Sequence, residues 1–143
     1  MNELVTPTAF PDPPTKGARL LYVDDEENNL LVFKATFRLD YHILTATSAR
    51  EGLRLLSQYP VDLIITDQKM PDMNGVEFLK QVMVDYPQPV RIILTGYSDI
   101  ISIVTAINEC GIYRYLTKPW SEEEMRLTIE KGLENHRLRR END

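Results

Sequence analysis

Polar or ionisable residues stand where four apolar segments of this sequence end. They are Asp24, Asp25, Asp67, Thr95 and Lys118. The carboxyl ends of neighbouring parallel strands meet at one edge of an α/β sheet, and ligands bind at that edge. Three carboxylates brought together there repel one another and need a compensating cation. Oxygen ligands of this kind suit Mg²⁺ or Mn²⁺ rather than zinc.

Lys118 and Thr95 extend the predicted chemistry from metal binding to phosphoryl transfer. The lysine would supply a fixed positive charge, and the threonine a hydroxyl donor. A divalent cation, an ammonium group and a hydroxyl around one aspartate can hold a phosphoryl group, which the carboxylate can accept as an aspartyl-phosphate. A single aspartate at a strand end could instead cap a helix. Capping does not explain why all of these residues should converge, so we favour phosphoryl chemistry.

Short apolar segments alternate with longer amphipathic ones from about residue 18 onward. The predicted strands are 20–23, 42–46, 62–66, 90–95 and 113–117. The first, third and fourth are apolar without alternation, which is typical of parallel strands covered by helices on both faces. Five strands alternating with five helices predict a doubly wound, flavodoxin-like α/β fold with a parallel sheet. The strand order 2-1-3-4-5 would bring strands 1 and 3, and with them the aspartates, together.

Local signals mark where several helices begin and end. Three pairs have capping-box spacing: Ser48 with Glu51, Asn74 with Glu77, and Ser121 with Glu124. Three residues mark helix ends: Gly111, Pro60 and Pro87. In the last helix Met125, Ile129 and Leu133 recur at every fourth position. We interpret them as a core stripe, with a dimer seam or a signalling helix as the alternative.

Composition restricts the class of protein. The 143 residues are 43% hydrophobic and 27% charged, as in an ordinary globular domain, and their number suits one domain. A net charge of −6 disfavours direct binding to nucleic acid. The lone cysteine, Cys110, excludes an internal disulfide and cysteine-rich zinc sites. No signal peptide and no apolar run of membrane-spanning length is recognisable, so we expect no membrane association and a cytoplasmic location.

Residues 1–17 differ in composition from the rest of the chain. They contain four prolines: Pro7, Pro11, Pro13 and Pro14. Such a segment favours extended, solvated backbone and has little apolar surface to bury. We therefore expect a disordered leader over residues 1–17.

Four motifs in the remaining sequence resemble those of a known family. They are YVDDE at 22–26, ITDQKMPDMNGVEFL at 65–79, LTG at 94–96 and YLTKPW at 115–120. With these motifs, residues 18–138 resemble the CheY-like receiver domain of two-component response regulators. Residues 139–143 would then be a C-terminal tail or the start of a linker to an output domain that this chain lacks. The segment INECGIYRYLTKPW also resembles receivers attached to HD-GYP phosphodiesterases or to AAA+ transcriptional activators.

The resemblance implies a role for each matching acidic residue. Asp67 would be the phospho-acceptor. Asp67 and Asp25 would bind Mg²⁺ directly, and the backbone carbonyl of Lys69 would complete the protein ligands. Asp24 would bind the ion largely through water.

The resemblance also implies how the phosphoryl group would be sensed. Lys118 would pair with its oxygens, Thr95 would move to donate to them, and Tyr115 would turn inward as Thr95 moves. The peptide bond between Lys118 and Pro119 is expected to be cis. The switch would change the face formed by the fourth helix, the fifth strand and the fifth helix, roughly residues 98–111, 113–116 and 121–133.

Two further side chains would tune the lifetime of the phosphoryl group. Lys69 and Tyr97 stand two residues after Asp67 and Thr95, respectively. Side chains at these positions of the family line the path of the attacking water. A long cation and an aromatic ring should hinder that water, so we expect slow autodephosphorylation.

A receiver domain would catalyse only its own phosphorylation and dephosphorylation, so we do not expect an enzyme in the ordinary sense. Its expected partners are a sensor histidine kinase or a phosphotransfer protein, and an output domain C-terminal to this chain. A homodimer through the face formed by the fourth helix, fifth strand and fifth helix is a further candidate.

Three other functions compete with this interpretation. Phosphatases of the haloacid dehalogenase type use a D-x-D motif, whereas Gln68 and Lys69 follow Asp67 here. A flavodoxin-like nucleotide or flavin binder needs Gly, Ser or Thr after strand 1, whereas DDEENN stands there and repels anions. A receiver-like fold that never accepts phosphate is the third, and the complete set of acceptor residues argues against it.

Overall fold

Five parallel strands form one sheet in the order β2-β1-β3-β4-β5 in a computed structural model, which describes residues 15–142. The strands are β1 (Arg19–Val23), β2 (His42–Ala46), β3 (Leu63–Asp67), β4 (Val90–Thr95) and β5 (Arg114–Thr117). The helices are α1 (Glu27–Phe37), α2 (Ala49–Gln58), α3 (Gly75–Asp85), α4 (Ile100–Cys110) and α5 (Glu122–Asn142), with a 3₁₀ turn (Tyr97–Asp99) before α4. The predicted alternation, the parallel sheet and the strand order are confirmed.

Helices cover both faces of the sheet. The side chains of α2, α3 and α4 pack with Leu21 and Ile64 on one face. Those of α1 and α5 pack with Leu20 and Leu63 on the other face. Successive strand residues point to opposite faces, which explains why the central strands are apolar at nearly every position.

Four predicted strand boundaries are wrong by one residue. β1 begins at Arg19 rather than at residue 20, and β5 begins at Arg114 rather than at residue 113. β3 begins at Leu63 and ends at Asp67, whereas the prediction was 62–66. Asp62 stands before the strand, where its carboxylate accepts a hydrogen bond from the backbone N–H of Arg19, at 2.9 Å. Asp67 continues the ladder opposite Leu94, so the candidate acceptor is itself the last strand residue.

The helix signals in the sequence correspond to observed caps. Asn74 and Glu77 form a reciprocal capping box at the start of α3. The Ser48 side chain accepts a hydrogen bond from Glu51 N at 3.1 Å, and Ser121 Oγ accepts one from Glu124 N at 3.0 Å. Gly111 ends α4 with φ at 60°, a left-handed conformation that favours glycine.

The apolar stripe of α5 lies in the core of this chain. Met125 and Ile129 are fully buried, and Leu133 is nearly so. They pack in one cluster with Phe33 and Phe37 of α1. The core interpretation is therefore confirmed, and these three residues form no dimer seam.

The predicted leader falls mainly outside the described residues, which begin at Thr15. Residues 15–17 form a turn, in which Thr15 O accepts a hydrogen bond from Ala18 N at 3.1 Å. The Thr15 side chain is buried and donates to Glu130 Oε1 at 2.6 Å. Among residues 15–142, no helix is both long and apolar enough to cross a membrane.

Candidate functional site

The sheet register brings the predicted site residues to one edge. Thr66, which precedes Asp67, pairs with Val23, which precedes Asp24. On the other side of β3, Asp67 pairs with Leu94. The next pair along that edge is Thr95 with Thr117, which precedes Lys118. Four side chains thus converge at this edge, those of Asp24, Asp25, Asp67 and Lys118, and Thr95 ends β4 at the same edge.

Three aspartates form the acidic part of the site. One carboxylate oxygen from each of Asp24, Asp25 and Asp67 lies within 4.8 Å of the others. Asp24 is 0% and Asp67 4% exposed, whereas Asp25 is exposed to solvent. The cluster is therefore buried at Asp24 and Asp67 and open to solvent at Asp25, where an ion or a donor molecule can approach.

Both oxygens of Asp24 already accept hydrogen bonds. The Tyr22 hydroxyl and the Asn29 side-chain amide each donate to Oδ2 at 3.1 Å. The backbone N–H of Glu26 donates to Oδ1 at 2.9 Å. Burial raises the pKa of the Tyr22 hydroxyl, and the adjacent Asp24 carboxylate raises it further. These contacts fix the orientation of Asp24 before any ligand binds.

Sequence reasoning missed Tyr22 and Asn29 as supports of the acidic cluster. A signal for Tyr22 was present, because residues two apart in a strand point to the same side. Asn29 stands in the first turn of α1. Its contact with Asp24 depends on the angle between β1 and α1, which the sequence does not give.

Lys118 neutralises part of the negative charge. Its Nζ lies 2.8 Å from Asp67 Oδ1. Burial raises the pKa of the Asp67 carboxyl, Lys118 lowers it, and Asp24 and Asp25 raise it again, with a net rise. Burial alone would lower the pKa of Lys118, but Asp67 and the nearby carboxylates outweigh burial and raise it.

The site fits a hard divalent cation. All of its clustered ligand atoms are carboxylate oxygens, which Mg²⁺ and Mn²⁺ prefer. Asp67 Oδ1 is buried, and within residues 15–142 it contacts the Lys118 ammonium but has no regular hydrogen bond. A single ammonium also leaves the three carboxylates with excess negative charge.

Thr95 ends β4 at the edge that carries the acidic cluster, and Tyr115 stands in β5 opposite Ile93, two residues before that edge. Thr95 is fully buried, and its hydroxyl donates to the carbonyl of Gly96 at 3.1 Å. Its own carbonyl accepts from Lys118 N at 2.9 Å, which ties the ends of β4 and β5 together. Tyr115 is half-buried against the core shared by α2, α3 and α4. The peptide bond between Lys118 and Pro119 is cis, the isomer that the resemblance implies.

The loop after β3 is held closely against α3. Gln68 Oε1 accepts from Val76 N at 2.9 Å, and Gln68 O accepts from Gly75 N at 3.0 Å. A Cβ atom at Gly75 would lie 2.6 Å from Asp67 O, so this close approach requires glycine. Lys69 is exposed, and its Nζ lies 3.8 Å from Asp99 Oδ2. The side chain of Tyr97 lies outside the described part of the structure.

The sequence and this fold match one family of proteins. Residues 20–130 match the response regulator receiver domain. This chain belongs to that family. The receiver domain is a CheY-like module of two-component systems, as the resemblance predicted.

The receiver domain is similar to parts of two longer regulators. It is 40% identical over 119 residues to the hydrogenase transcriptional regulatory protein HoxA of Cupriavidus necator. It is 34% identical over 120 residues to the transcriptional regulatory protein GlrR of Escherichia coli. Each alignment covers 83% of this chain but only 25% and 27% of those proteins, so the chain spans about a quarter of their length.

Solved receiver structures superpose on most of the chain. The signal receiver domain of an HD domain-containing protein from Pseudomonas fluorescens Pf-5 is 36% identical with a TM-score of 0.80, covering 85% of this chain and 98% of that one. A CheY-like receiver domain protein from Methanospirillum hungatei JF-1 is 27% identical with a TM-score of 0.81, covering 86% and 98%.

Proposed function

We propose that Asp67 accepts a phosphoryl group from a phosphohistidine of a sensor histidine kinase or phosphotransfer protein. The observation that carries this proposal is the buried Asp67 carboxylate, which stands among two other aspartates with the Lys118 ammonium 2.8 Å away. A carboxylate oxygen of Asp67 attacks phosphorus and forms the P–O bond. The P–N bond to histidine breaks, and the imidazole nitrogen takes the electron pair.

Asp24, Asp25, Asp67 and the backbone carbonyl of Lys69 would hold Mg²⁺ or Mn²⁺, which would offset the charge on the phosphoryl oxygens. The Lys118 ammonium, which contacts Asp67, would also pair with a phosphoryl oxygen. Thr95 turns its hydroxyl from the Gly96 carbonyl to the phosphoryl group.

The movement of Thr95 would be passed to the face formed by α4, β5 and α5. Tyr115 turns inward as the threonine moves, and the population shifts toward the active arrangement of this face. Ile101 and Val104 are exposed on α4, at 86% and 50%, and offer apolar surface to a partner. We propose that this face controls an output domain C-terminal to the chain, or pairs with a second copy.

Lys69 and Tyr97 would prolong the phosphorylated state. The exposed Lys69 side chain stands two residues after Asp67, and its Nζ lies 3.8 Å from Asp99 Oδ2. It would line the route by which water reaches Asp67. Replacing both residues by alanine should speed dephosphorylation, and an unchanged rate would contradict this role.

We further propose that the chain turns over no other substrate. It would work in the cytoplasm, without membrane association or direct contact with nucleic acid. Phosphatase turnover of the haloacid dehalogenase type would require a second aspartate two residues after Asp67, where Lys69 stands.

The test is the intact mass of the chain after incubation with acetyl phosphate and Mg²⁺. We expect one added phosphoryl group, which is lost when EDTA replaces Mg²⁺ and is absent from Asp67→Asn. If the folded chain binds Mg²⁺ but gains no mass, a phosphorylated histidine kinase domain replaces acetyl phosphate. Failure with that donor as well would overturn the proposal.

A further inference from the structure

The two oxygens of the Asp24 carboxylate have different surroundings. Oδ2 accepts two hydrogen bonds, from the Tyr22 hydroxyl and from the Asn29 side-chain amide, each at 3.1 Å. Oδ1 accepts one, from the backbone N–H of Glu26 at 2.9 Å. An ionised carboxylate has about four acceptor positions, two on each oxygen. Within residues 15–142, both positions on Oδ2 are therefore occupied, and one position on Oδ1 is open.

The packing of the Tyr22 ring fixes the place of its hydroxyl. Tyr22 is 1% exposed, and its ring stacks on that of Phe33, with the ring centres 4.4 Å apart. Phe33 is itself fully buried, and the Trp120 ring meets it edge-on at 6.1 Å. Closely packed rings cannot shift without opening a gap in the core. The phenol oxygen therefore stays beside Asp24.

The Asn29 amide is held in one orientation by two carboxylates. Its Nδ2 atom donates to Asp24 Oδ2 at 3.1 Å and to Glu26 Oε1 at 2.9 Å. An amide nitrogen carries two hydrogens, so both are used. The opposite orientation of the amide would place its oxygen against two carboxylate oxygens. Asn29 therefore acts as a second fixed donor to the same atom of Asp24.

These contacts limit how Asp24 can bind a cation. With Oδ2 occupied, Asp24 can offer one oxygen to an ion or to its bound water, but not both oxygens together. Ca²⁺ takes about six to eight oxygen ligands in a flexible arrangement and often uses both oxygens of a carboxylate. Mg²⁺ requires a near-octahedral arrangement of about six ligands and keeps several waters. The surroundings of Asp24 suit Mg²⁺ better than Ca²⁺.

We propose that Tyr22 and Asn29 determine the cation specificity of the aspartate cluster. By occupying Oδ2 they restrict Asp24 to Oδ1, which favours Mg²⁺ over Ca²⁺. Both are positioning residues, because they act through Asp24 and need not touch the ion. This inference rests on the cation site of the proposed function, but it concerns the choice of ion rather than the transfer of a phosphoryl group.

The test is calorimetric titration of the full chain with MgCl₂ and with CaCl₂ at constant ionic strength. Tyr22→Phe removes the hydroxyl and keeps the stacked ring. We expect the ratio of the Ca²⁺ Kd to the Mg²⁺ Kd to fall about tenfold, in line with the usual effect of losing a hydrogen bond to a metal ligand. The ratio is the readout because a change of charge at Asp24 alters the affinity for both divalent cations.

Two further variants complete the test. Asn29→Ala should lower the ratio in the same direction, and it keeps the inference testable if Tyr22→Phe does not fold. Tyr41→Phe is the matched control. Tyr41 is 3% exposed, and its hydroxyl is buried without a hydrogen-bond partner among residues 15–142. It directly precedes β2, at the edge opposite the aspartates, so its loss should leave the ratio unchanged.

The possible results separate this inference from the proposed function. A ratio that is unchanged or higher in the folded variants of Tyr22 and Asn29 would overturn the inference, as would an equal fall in Tyr41→Phe. If the unchanged chain binds neither cation, the cation site is wrong and this inference with it. A lower ratio in both variants supports the inference even if acetyl phosphate adds no phosphoryl group.

Discussion

Lys69 and Asp99 form an ion pair of 3.8 Å that joins the loop after β3 to the turn before α4. Asp99 precedes the first residue of α4, yet its side chain caps no backbone N–H of that helix. The carboxylate instead restrains a lysine that stands two residues from the candidate acceptor. The pair thus connects the proposed phosphorylation site with the helix that would respond to it.

Asp99→Ala should therefore shorten the lifetime of phosphorylated Asp67. An unrestrained Lys69 would hinder the attacking water less well, and we expect decay faster by about threefold, because exposed ion pairs contribute less than about 1 kcal/mol. The measurement is loss of the added phosphoryl mass with time. Lys80 and Glu109 form a matched pair, also at 3.8 Å and distant from Asp67, so Glu109→Ala should leave the lifetime unchanged.

Gly75→Ala should destabilise the fold and disturb the acceptor. Alanine normally favours a helix over glycine by roughly 1 kcal/mol. Here its Cβ would lie 2.6 Å from Asp67 O and 3.0 Å from Gln68 Cα, and backbone atoms yield little. We expect a loss of about 1–3 kcal/mol in the free energy of unfolding, measured with urea.

Gly96→Ala provides the comparison, because a Cβ there would meet nothing within 4 Å. Its free energy of unfolding should change by less than about 0.5 kcal/mol. Equal effects of the two substitutions would contradict the close approach of α3 to Asp67.

Asp67→Asn should stabilise the metal-free chain at neutral pH. Burial raises the pKa of Asp67 in the folded chain, so the folded state binds this proton more tightly than the unfolded state. The ionised carboxylate therefore costs stability above its folded pKa, and that cost disappears as the pH falls below the unfolded value. Thermal unfolding in EDTA should give the variant a higher Tm at pH 7, with a smaller difference at pH 4.

Mg²⁺ provides a second readout for Asp67→Asn. The ion should raise the Tm of the unchanged chain more than that of the variant, because it binds only the folded cluster. A variant that is less stable than the parent at pH 7 would contradict this expectation. It would show that the favourable contact between Asp67 and Lys118 exceeds the cost of burying the Asp67 carboxylate.

Cys110 should resist thiol reagents in the native protein. Its side chain is fully buried, and burial raises the pKa of the thiol, so little nucleophilic thiolate forms. We expect alkylation by iodoacetamide to be at least about a hundred times slower than in urea. Rapid modification without denaturant would indicate that the end of α4 opens readily.

The sequence was sufficient to predict the sheet because short strand segments, three of them apolar throughout, alternate with longer amphipathic segments. It was sufficient to predict the candidate site because Asp24, Asp67 and Thr95 mark strand ends, and parallel strand ends share an edge. The contacts of Asn29 and Lys69 were not predictable, since they depend on how loops and helix ends lie in space. Helical spacing alone also did not show whether Met125 belongs to the core or to a dimer interface. The complete burial of Met125 within this chain shows that it belongs to the core.

The two sides of the sheet have separate hydrophobic cores. β3 contributes Ile64 to the core under α2, α3 and α4, and it contributes Leu63 and Ile65 to the core under α1 and α5. Among residues 15–142, no buried side chain belongs to both clusters. Hydrogen exchange would then divide the molecule, with α4 amides exchanging through a local opening and α1 amides only through global unfolding. Such a division would let one half of the domain rearrange while the other half keeps the fold intact.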